Sequence, residues 1–523
     1  MQPACIRHTD LPGTSLLFAD FSYRFDKVAP FYAHDPHDPL SFQRAAAQID
    51  YPDDRRAAMV AALRAQNGDS PSLAKLAQPG TVAVVTGQQV GLFSGPAYTI
   101  YKAMTAAHMA RQLSDQGIPA VPVFWLATED HDFAEVNHAW VFGAAGEPVA
   151  VRVTTPATGP KTPPVGGIPI AQPPLGELRA ALAGLPFTHE VMAIVEAAYG
   201  NGAGTADVTM GQGFRALLKT LLAKLDLLYL DPLDPAIRKI GAPLLAKALG
   251  VAPELKSRLI ERNRELADTG YHAQVHVDAK TSLFFLLENG ERSALRRKDS
   301  EYAALAGRAE QVSPNALLRP VWQDYLLPTV AYVGGPGELA YLAQSEVVYR
   351  ELLGRMPVAM ARTGFTIVDA RSQKLLSRYR IQLAQVMTAP EALRERIAHT
   401  LIPEATQRSL ESVSAEIARH LDQLAGHLEA FDPTLAKATQ KSRAKMLYQL
   451  EKLGRKTARE TLRRDARATA DGDHLAGMIY PHRHPQERFY SILPFLAQHG
   501  LDLIDRLYDA VEPMCPDHRV YTL

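Results

Sequence analysis

Two short stretches carry residue types that could do chemistry. The first, Thr86-Gly87-Gln88-Gln89-Val90-Gly91-Leu92-Phe93-Ser94-Gly95-Pro96, follows an apolar run at 82–85. The second, Thr128-Glu129-Asp130-His131-Asp132, follows an apolar run at 121–127. Where a strand turns into a helix, backbone N–H groups and the positive end of the helix dipole converge, and an anion such as phosphate can bind there without a cationic side chain. Gly91 and Gly95 would permit close backbone approach, and Thr86, Gln88, Gln89 and Ser94 offer neutral hydrogen-bonding groups. Lys102, two turns into the following helix, either reaches such a ligand or is solvated. The spacing is neither the Walker pattern nor G-x-G-x-x-G, so a tight turn without a ligand is the competing reading.

Glu129, Asp130, His131 and Asp132 are four adjacent ionisable groups that should perturb one another. They could serve as general acid or base, orient an amine, or bind a metal. The spacings of His131, Glu135 and His138 match no zinc motif, so no metal ligands are assigned. One or two carboxylates holding Mg²⁺ together with nucleotide phosphates is the more reasonable metal chemistry. A polar, hydrogen-bonded strand terminus is the bland alternative.

Two further clusters are candidates. Tyr332-Val333-Gly334-Gly335-Pro336-Gly337-Glu338 is another strand end, whose Gly335 and Gly337 either close over a ligand or only turn the chain. His482, His484, Gln486, Glu487 and Arg488 form the other cluster. Arg488 could grip a carboxylate bidentately, and a salt-bridged domain joint is the alternative.

These groups need a scaffold, and the elements around them suggest which one. Short apolar runs at 82–85, 121–127, 227–230, 329–333 and 358–369 read as strands. A helix is expected over 96–114, giving strand–helix–strand order and a parallel α/β sheet whose ligands gather outside the strand carboxyl ends. Helices are expected at 53–65, 175–198 and 211–225, and strands at 274–277 and 282–287. Glu288-Asn289-Gly290-Glu291 is a hairpin signal, because Asn-Gly accepts positive φ. The Gly-, Pro- and Thr-rich segment 144–174 reads as a loop or small β-rich insertion.

From 371 to 470 the periodicity becomes helical. Leu410, Ile417, Leu424 and Phe431 recur every seven residues, with Val413, Leu421 and Leu428 beside them. Asp432-Pro433 then caps a second helix carrying Met446, Leu450, Leu453 and Leu462. An antiparallel coiled-coil hairpin follows, serving as a dimerisation arm or packing on the chain's own core. The expected organisation is a core over 1–370 with a connecting insertion at about 144–226, a helical hairpin over 371–470, and a return to the core over 471–523.

The 523 residues carry 56 basic and 56 acidic side chains, so no long-range field favours nucleic acid or an anionic membrane. Two cysteines, Cys5 and Cys515, suit a reducing cytosol and read as incidental. No apolar run reaches the length of a spanning helix and no leader is evident, so a cytoplasmic protein is the expectation.

At these residues the chain resembles the bacillithiol biosynthesis cysteine-adding enzyme family. The blocks VTGQQVGLFSGPAYTIYK, PVFWLATEDHDFAEVNH, YVGGPGELAY and HPQER carry the resemblance, in that order and over nearly the whole chain. The resemblance implies a Rossmann-like core with inserted connecting segments and a coiled-coil arm that makes a homodimer. It implies a ligase joining cysteine to glucosaminyl-malate, with Glu129, Asp130, His131 and Asp132 near the chemistry. The glycine-rich edges, Lys102, His484 and Arg488 would hold substrate or nucleotide. ATP and Mg²⁺ are the expected cofactors if the carboxylate is activated. The core is also similar to class I synthetase-type nucleotidyltransferases, but the HxGH and KMSKS signatures are absent here. The rival readings are a related ligase acting on another amino sugar or amino acid, and a dimeric binding protein without chemistry.

Overall fold

The computed structural model describes residues 4–154, 163–200, 207–295 and 302–523. Two parts of the expected insertion, 155–162 and 201–206, lie outside them. The chain divides into two compact units, Met1–Thr366 with Glu487–Tyr521 and Ile367–Gln486 with Thr522–Leu523.

The first unit is built on a five-stranded sheet with every neighbour parallel. Its order is Val358–Ala361, Thr329–Gly334, Val82–Gln89, Ala120–Ala127, Leu228–Leu230. Such a sheet is covered on both faces, so its strands are apolar without alternation. Ala83 and Val85 enter one core with Val121, Val123 and Trp125, and Val82 and Val84 enter another with Val330, Val333 and Met360. The Val82–Gln89 strand outlasts its apolar run because Ala120–Ala127 pairs with it as far as Gln89↔Ala127. Gly87 lies opposite Trp125, where an added Cβ would stand 2.9 Å from the tryptophan Cβ.

Chain order explains where a site forms. From Val82–Gln89 the chain moves outward through Ala120–Ala127 to Leu228–Leu230. It then returns to the opposite side for Thr329–Gly334 and Val358–Ala361. The reversal falls between Val82–Gln89 and Thr329–Gly334, and a crevice opens outside the carboxyl ends of strands at such a switch point.

Several expectations need correction. The helix expected over 175–198 is two, Leu175–Ala181 and Thr188–Tyr199, interrupted where Gly184 takes φ +84°. Residues 274–277 form no strand, because the Gln344 side chain bonds both the N–H and the C=O of Val275 in place of a ladder. The 358–369 run is two strands, Val358–Ala361 and Phe365–Val368. The expected hairpin joins Phe284–Glu288 to Glu291–Ala294, with φ of 54° at Asn289 and 78° at Gly290.

The second unit is helical. Glu404–Phe431 and Pro433–Arg464 pack along each other, and Asp432 accepts from the Thr434 N–H between them at 2.8 Å. Ala398, Ile402 and Ala458 form a small core at the base, with Leu462 against it. Further along, Leu424 is 46% and Phe431 83% exposed, so the seven-residue stripe is only partly used within this chain.

Candidate functional site

A cavity of about 650 Å³ lies at the switch point. Strand ends supply most of its polar wall. Gln88 and Gln89 close the Val82–Gln89 strand, Glu129 and Asp130 follow Ala120–Ala127, and Gly335, Gly337 and Glu338 follow Thr329–Gly334. Arg362 follows Val358–Ala361, and Arg292, Arg319 and Arg488 arrive from elsewhere in the chain.

Lys102 is buried at 3% exposure and is not solvated. Its ammonium donates to the Gly87 carbonyl and to Gln88 Oε1, each at 2.9 Å, and forms an ion pair with Glu338. Burial pulls the ammonium's pKa down against the opposing pull of Glu338. Burial would raise the Glu338 carboxyl, but Lys102, the Gly335 N–H and Tyr332 outweigh it and hold the carboxyl below its ordinary value. Glu338 accepts from the Gly335 N–H at 2.8 Å and from the Tyr332 hydroxyl at 2.8 Å. Arg319 donates to the Tyr332 and Tyr341 hydroxyls at 3.2 and 3.0 Å. One wall is therefore a continuous chain, Arg319–Tyr332–Glu338–Lys102–Gln88, that fixes every member's orientation.

The acidic cluster follows the neighbouring strand, Ala120–Ala127, and its four members part company. Glu129 is buried and paired with Arg238. Asp130 lines the cavity, and its carboxylate accepts from Gln89 Nε2 at 2.7 Å and from the His131 N–H at 2.7 Å. Gln89 Nε2 also donates to Glu135 at 2.9 Å. Asp132 is exposed and caps the short helix Phe133–Val136 by accepting from the Glu135 N–H. His131 is exposed beside the cavity, with Nδ1 at 2.9 Å from Arg292. His138 begins a strand, so His131, Glu135 and His138 share no helix. Among the described residues no group of three or more His, Cys, Asp or Glu is placed to hold a metal ion.

The glycine-rich turn serves the fold more than the cavity. Thr86, Gly91, Ser94 and Gly95 do not line it. Thr86 Oγ1 donates to the Val333 carbonyl at 2.8 Å, tying two strands together. Gly91 and Gly95 pack on each other, since a Cβ on Gly91 would stand 2.9 Å from the Gly95 Cα. Positive φ at Phe93, Ser94 and Gly95 winds the turn inward, and Ser491 donates to the Phe93 carbonyl. The Ala97 N–H at the head of the Tyr98–Asp115 helix donates to the Tyr490 carbonyl at 2.7 Å, so this amide serves the fold. What the segment gives the cavity is Gly87, Gln88, Gln89, Tyr98 and Lys102.

Of the HPQER block, Arg488 lines the cavity and His484 does not. Glu487 grips Arg362 through two bonds of 2.6 and 2.7 Å, with both side chains buried. Burial opposes the Glu487 charge, but Arg362, His518 and the Phe365 N–H overcome it and hold the carboxyl at about 2. Arg292, Arg319, Arg362, Tyr98 and Tyr341 line the cavity without a strand-end motif to announce them. Their arrival depends on long-range packing, although Tyr98 and Tyr341 fall within the blocks VTGQQVGLFSGPAYTIYK and YVGGPGELAY.

Comparison with known proteins agrees with this architecture. Residues 1–363 match the family model "Bacillithiol biosynthesis BshC, N-terminal Rossmann-like domain". Residues 365–523 match "Bacillithiol biosynthesis BshC, C-terminal coiled-coil domain". A protein of Solibacter usitatus named "Putative cysteine ligase BshC" is 54% identical over 99% of each chain. Proteins of the same name from Koribacter versatilis and Symbiobacterium thermophilum are 35% identical over 99% and 34% identical over 93% of each chain. With both domain models matched end to end on a Rossmann-like core and a coiled coil, the chain belongs to the BshC family of bacillithiol biosynthesis.

Proposed function

We propose that the chain is a ligase that forms an amide between the carboxyl group of cysteine and the amine of glucosaminyl-malate. The observation that carries this reading is the juxtaposition in one cavity of the Asp130 carboxylate with Lys102, Arg292, Arg319 and Arg488. Amide formation needs a deprotonated amine and an activated carboxyl, and both the sugar's acidic arm and any activating phosphate are anionic. Asp130, turned by Gln89 and the His131 N–H, is the group positioned to take the amine proton. The guanidinium groups suit carboxylate or phosphate oxygens. The cysteine thiol takes no part.

The donor set also suits ATP and Mg²⁺. Arg319 and Arg488 would meet phosphate oxygens, and Mg²⁺ would arrive carried on those phosphates. ATP would supply the leaving group that makes the carboxyl reactive. Pure protein incubated with cysteine, glucosaminyl-malate and Mg·ATP should give bacillithiol by mass spectrometry. Equal product without nucleotide defeats the activation scheme, and no product with all components defeats the ligase reading. We also assign the exposed stripe through Leu424 and Phe431 to a homodimer contact. Among the described residues no helix is long and apolar enough to cross a membrane, and we place the reaction in the cytoplasm, where thiols stay reduced.

A further inference from the structure

Arg292 and His131 form a pair whose chemistry is decided by geometry. The Arg292 N–H at one guanidinium corner lies 2.9 Å from His131 Nδ1. An arginine has donors and no acceptor, so this contact makes Nδ1 the acceptor and leaves the ring proton on Nε2. The same guanidinium donates to Ser313 Oγ at 3.1 Å and to the Pro314 carbonyl at 3.1 Å. Its Cζ lies over the Phe285 ring, 3.7 Å from the centroid, and Phe285 also meets the His131 ring, with centroids 5.6 Å apart. These three contacts and the aromatic ring fix the group at the cavity wall, and His131 Nδ1 also lies 3.6 Å from Asp130 Oδ1. Among the described residues, the fields of Glu129, Asp130 and Arg238 reach it, and Glu129 is paired with Arg238. Burial pulls the Arg292 pKa down, the direction expected of a cation held away from water.

We infer that Arg292 contacts a carboxylate or phosphate oxygen of the bound ligand, and that His131 is its positioning residue, a neutral Nε2–H imidazole rather than the general base. The inference deepens the ligase reading by dividing the labour within the Glu129–Asp132 cluster. Asp130 faces the amine, and His131 acts through Arg292. A planar guanidinium anchored in advance binds an anion without first losing side-chain freedom, which is the advantage of such a pair over a solvated arginine.

The test has one arm that needs no turnover. Long-range ¹H–¹⁵N NMR of the ligand-free full chain at neutral pH should show His131 with Nδ1 unprotonated and Nε2 protonated. Arg292→Gln should remove that fixed tautomer while the spectrum of a folded protein persists. A proton on Nδ1 in the unmodified protein overturns the inference. The second arm is calorimetric binding of two probes, malate and inorganic pyrophosphate. Arg292→Gln should weaken at least one of them by roughly 10- to 100-fold, the worth of a charge-assisted contact. The probe that weakens tells whether the held oxygen belongs to a carboxylate or a phosphate. His131→Ala should give a smaller loss, and His131→Gln, whose amide oxygen can accept from the guanidinium, should recover most of it. Unchanged affinity of Arg292→Gln for both probes overturns the inference. Should the unmodified protein make no bacillithiol yet pass both arms, only the ligase reading fails.

Discussion

Lys102 and Glu338 meet as a largely buried ion pair across the switch point of the sheet, one from the second turn of Tyr98–Asp115 and the other from the first turn of Pro336–Leu352. The pair joins the glycine-rich segment at 86–96 to the strand end at 332–338 and completes the hydrogen-bonded chain that forms one wall of the cavity. Lys102→Met leaves the Glu338 carboxylate buried without its cation. We expect a loss of about 3–5 kcal/mol in stability by urea unfolding, with a smaller loss in Lys102→Met/Glu338→Gln. Additive losses would show that the two side chains act separately.

Asp130 lines the cavity and accepts from Gln89 Nε2 at 2.7 Å. On the proposed ligase reading, Asp130→Asn keeps the shape and removes the group that takes the amine proton. The expected outcome is a fall in kcat of roughly 10²–10⁴-fold with folding intact by circular dichroism. A loss confined to KM would make Asp130 a binding group.

The Arg362–Glu487 pair ties the end of the Val358–Ala361 strand to the residue preceding Arg488. Glu487→Gln strands a buried guanidinium, so the melting temperature should drop and KM should rise as Arg488 loses its fixed neighbour. Normal KM in a destabilised variant would confine Glu487 to a structural role.

Acid should weaken the protein in two steps. Burial, aided by His518, depresses the His8 pKa from 6.5 to about 3, and His518 is lowered by its own burial. A histidine kept neutral in the fold takes up its proton more readily once unfolded. Its stabilising share is therefore whole above about pH 6.5 and drains away as the pH falls toward 3. Glu487, depressed from 4.5 to about 2, adds a second loss below about pH 4.5. Urea midpoints should fall between about pH 7 and about pH 5, and His8→Phe should flatten that slope. A slope unchanged in His8→Phe would assign it to other groups.

Leu424 and Phe431 project from the helical hairpin at 46% and 83% exposure. Glutamate at both positions should turn a dimer into a monomer by light scattering and leave the first unit's fold intact. A monomeric unmodified chain would remove this role from the stripe.

The positions of the central strands were legible in the sequence because a parallel sheet buried on both faces needs unbroken apolar runs, as at 82–85, 121–127 and 329–333. Gln88, Gln89, Asp130, Gly335 and Gly337 were legible as cavity groups because each directly follows such a run. The helical hairpin was legible from its seven-residue spacing. Tertiary structure decided the rest. Glycines that read as a phosphate cradle, Gly91 and Gly95, turned out to pack on each other, because local spacing cannot tell room for a ligand from room for the chain itself. Four adjacent ionisable residues read as one cluster, but only the fold could send Glu129 to Arg238, Asp130 to the cavity, Asp132 to a helix cap and His131 to Arg292. Side chains that neighbour in sequence leave a turn in different directions, and for Glu129 and His131 a partner more than a hundred residues away fixes the contact.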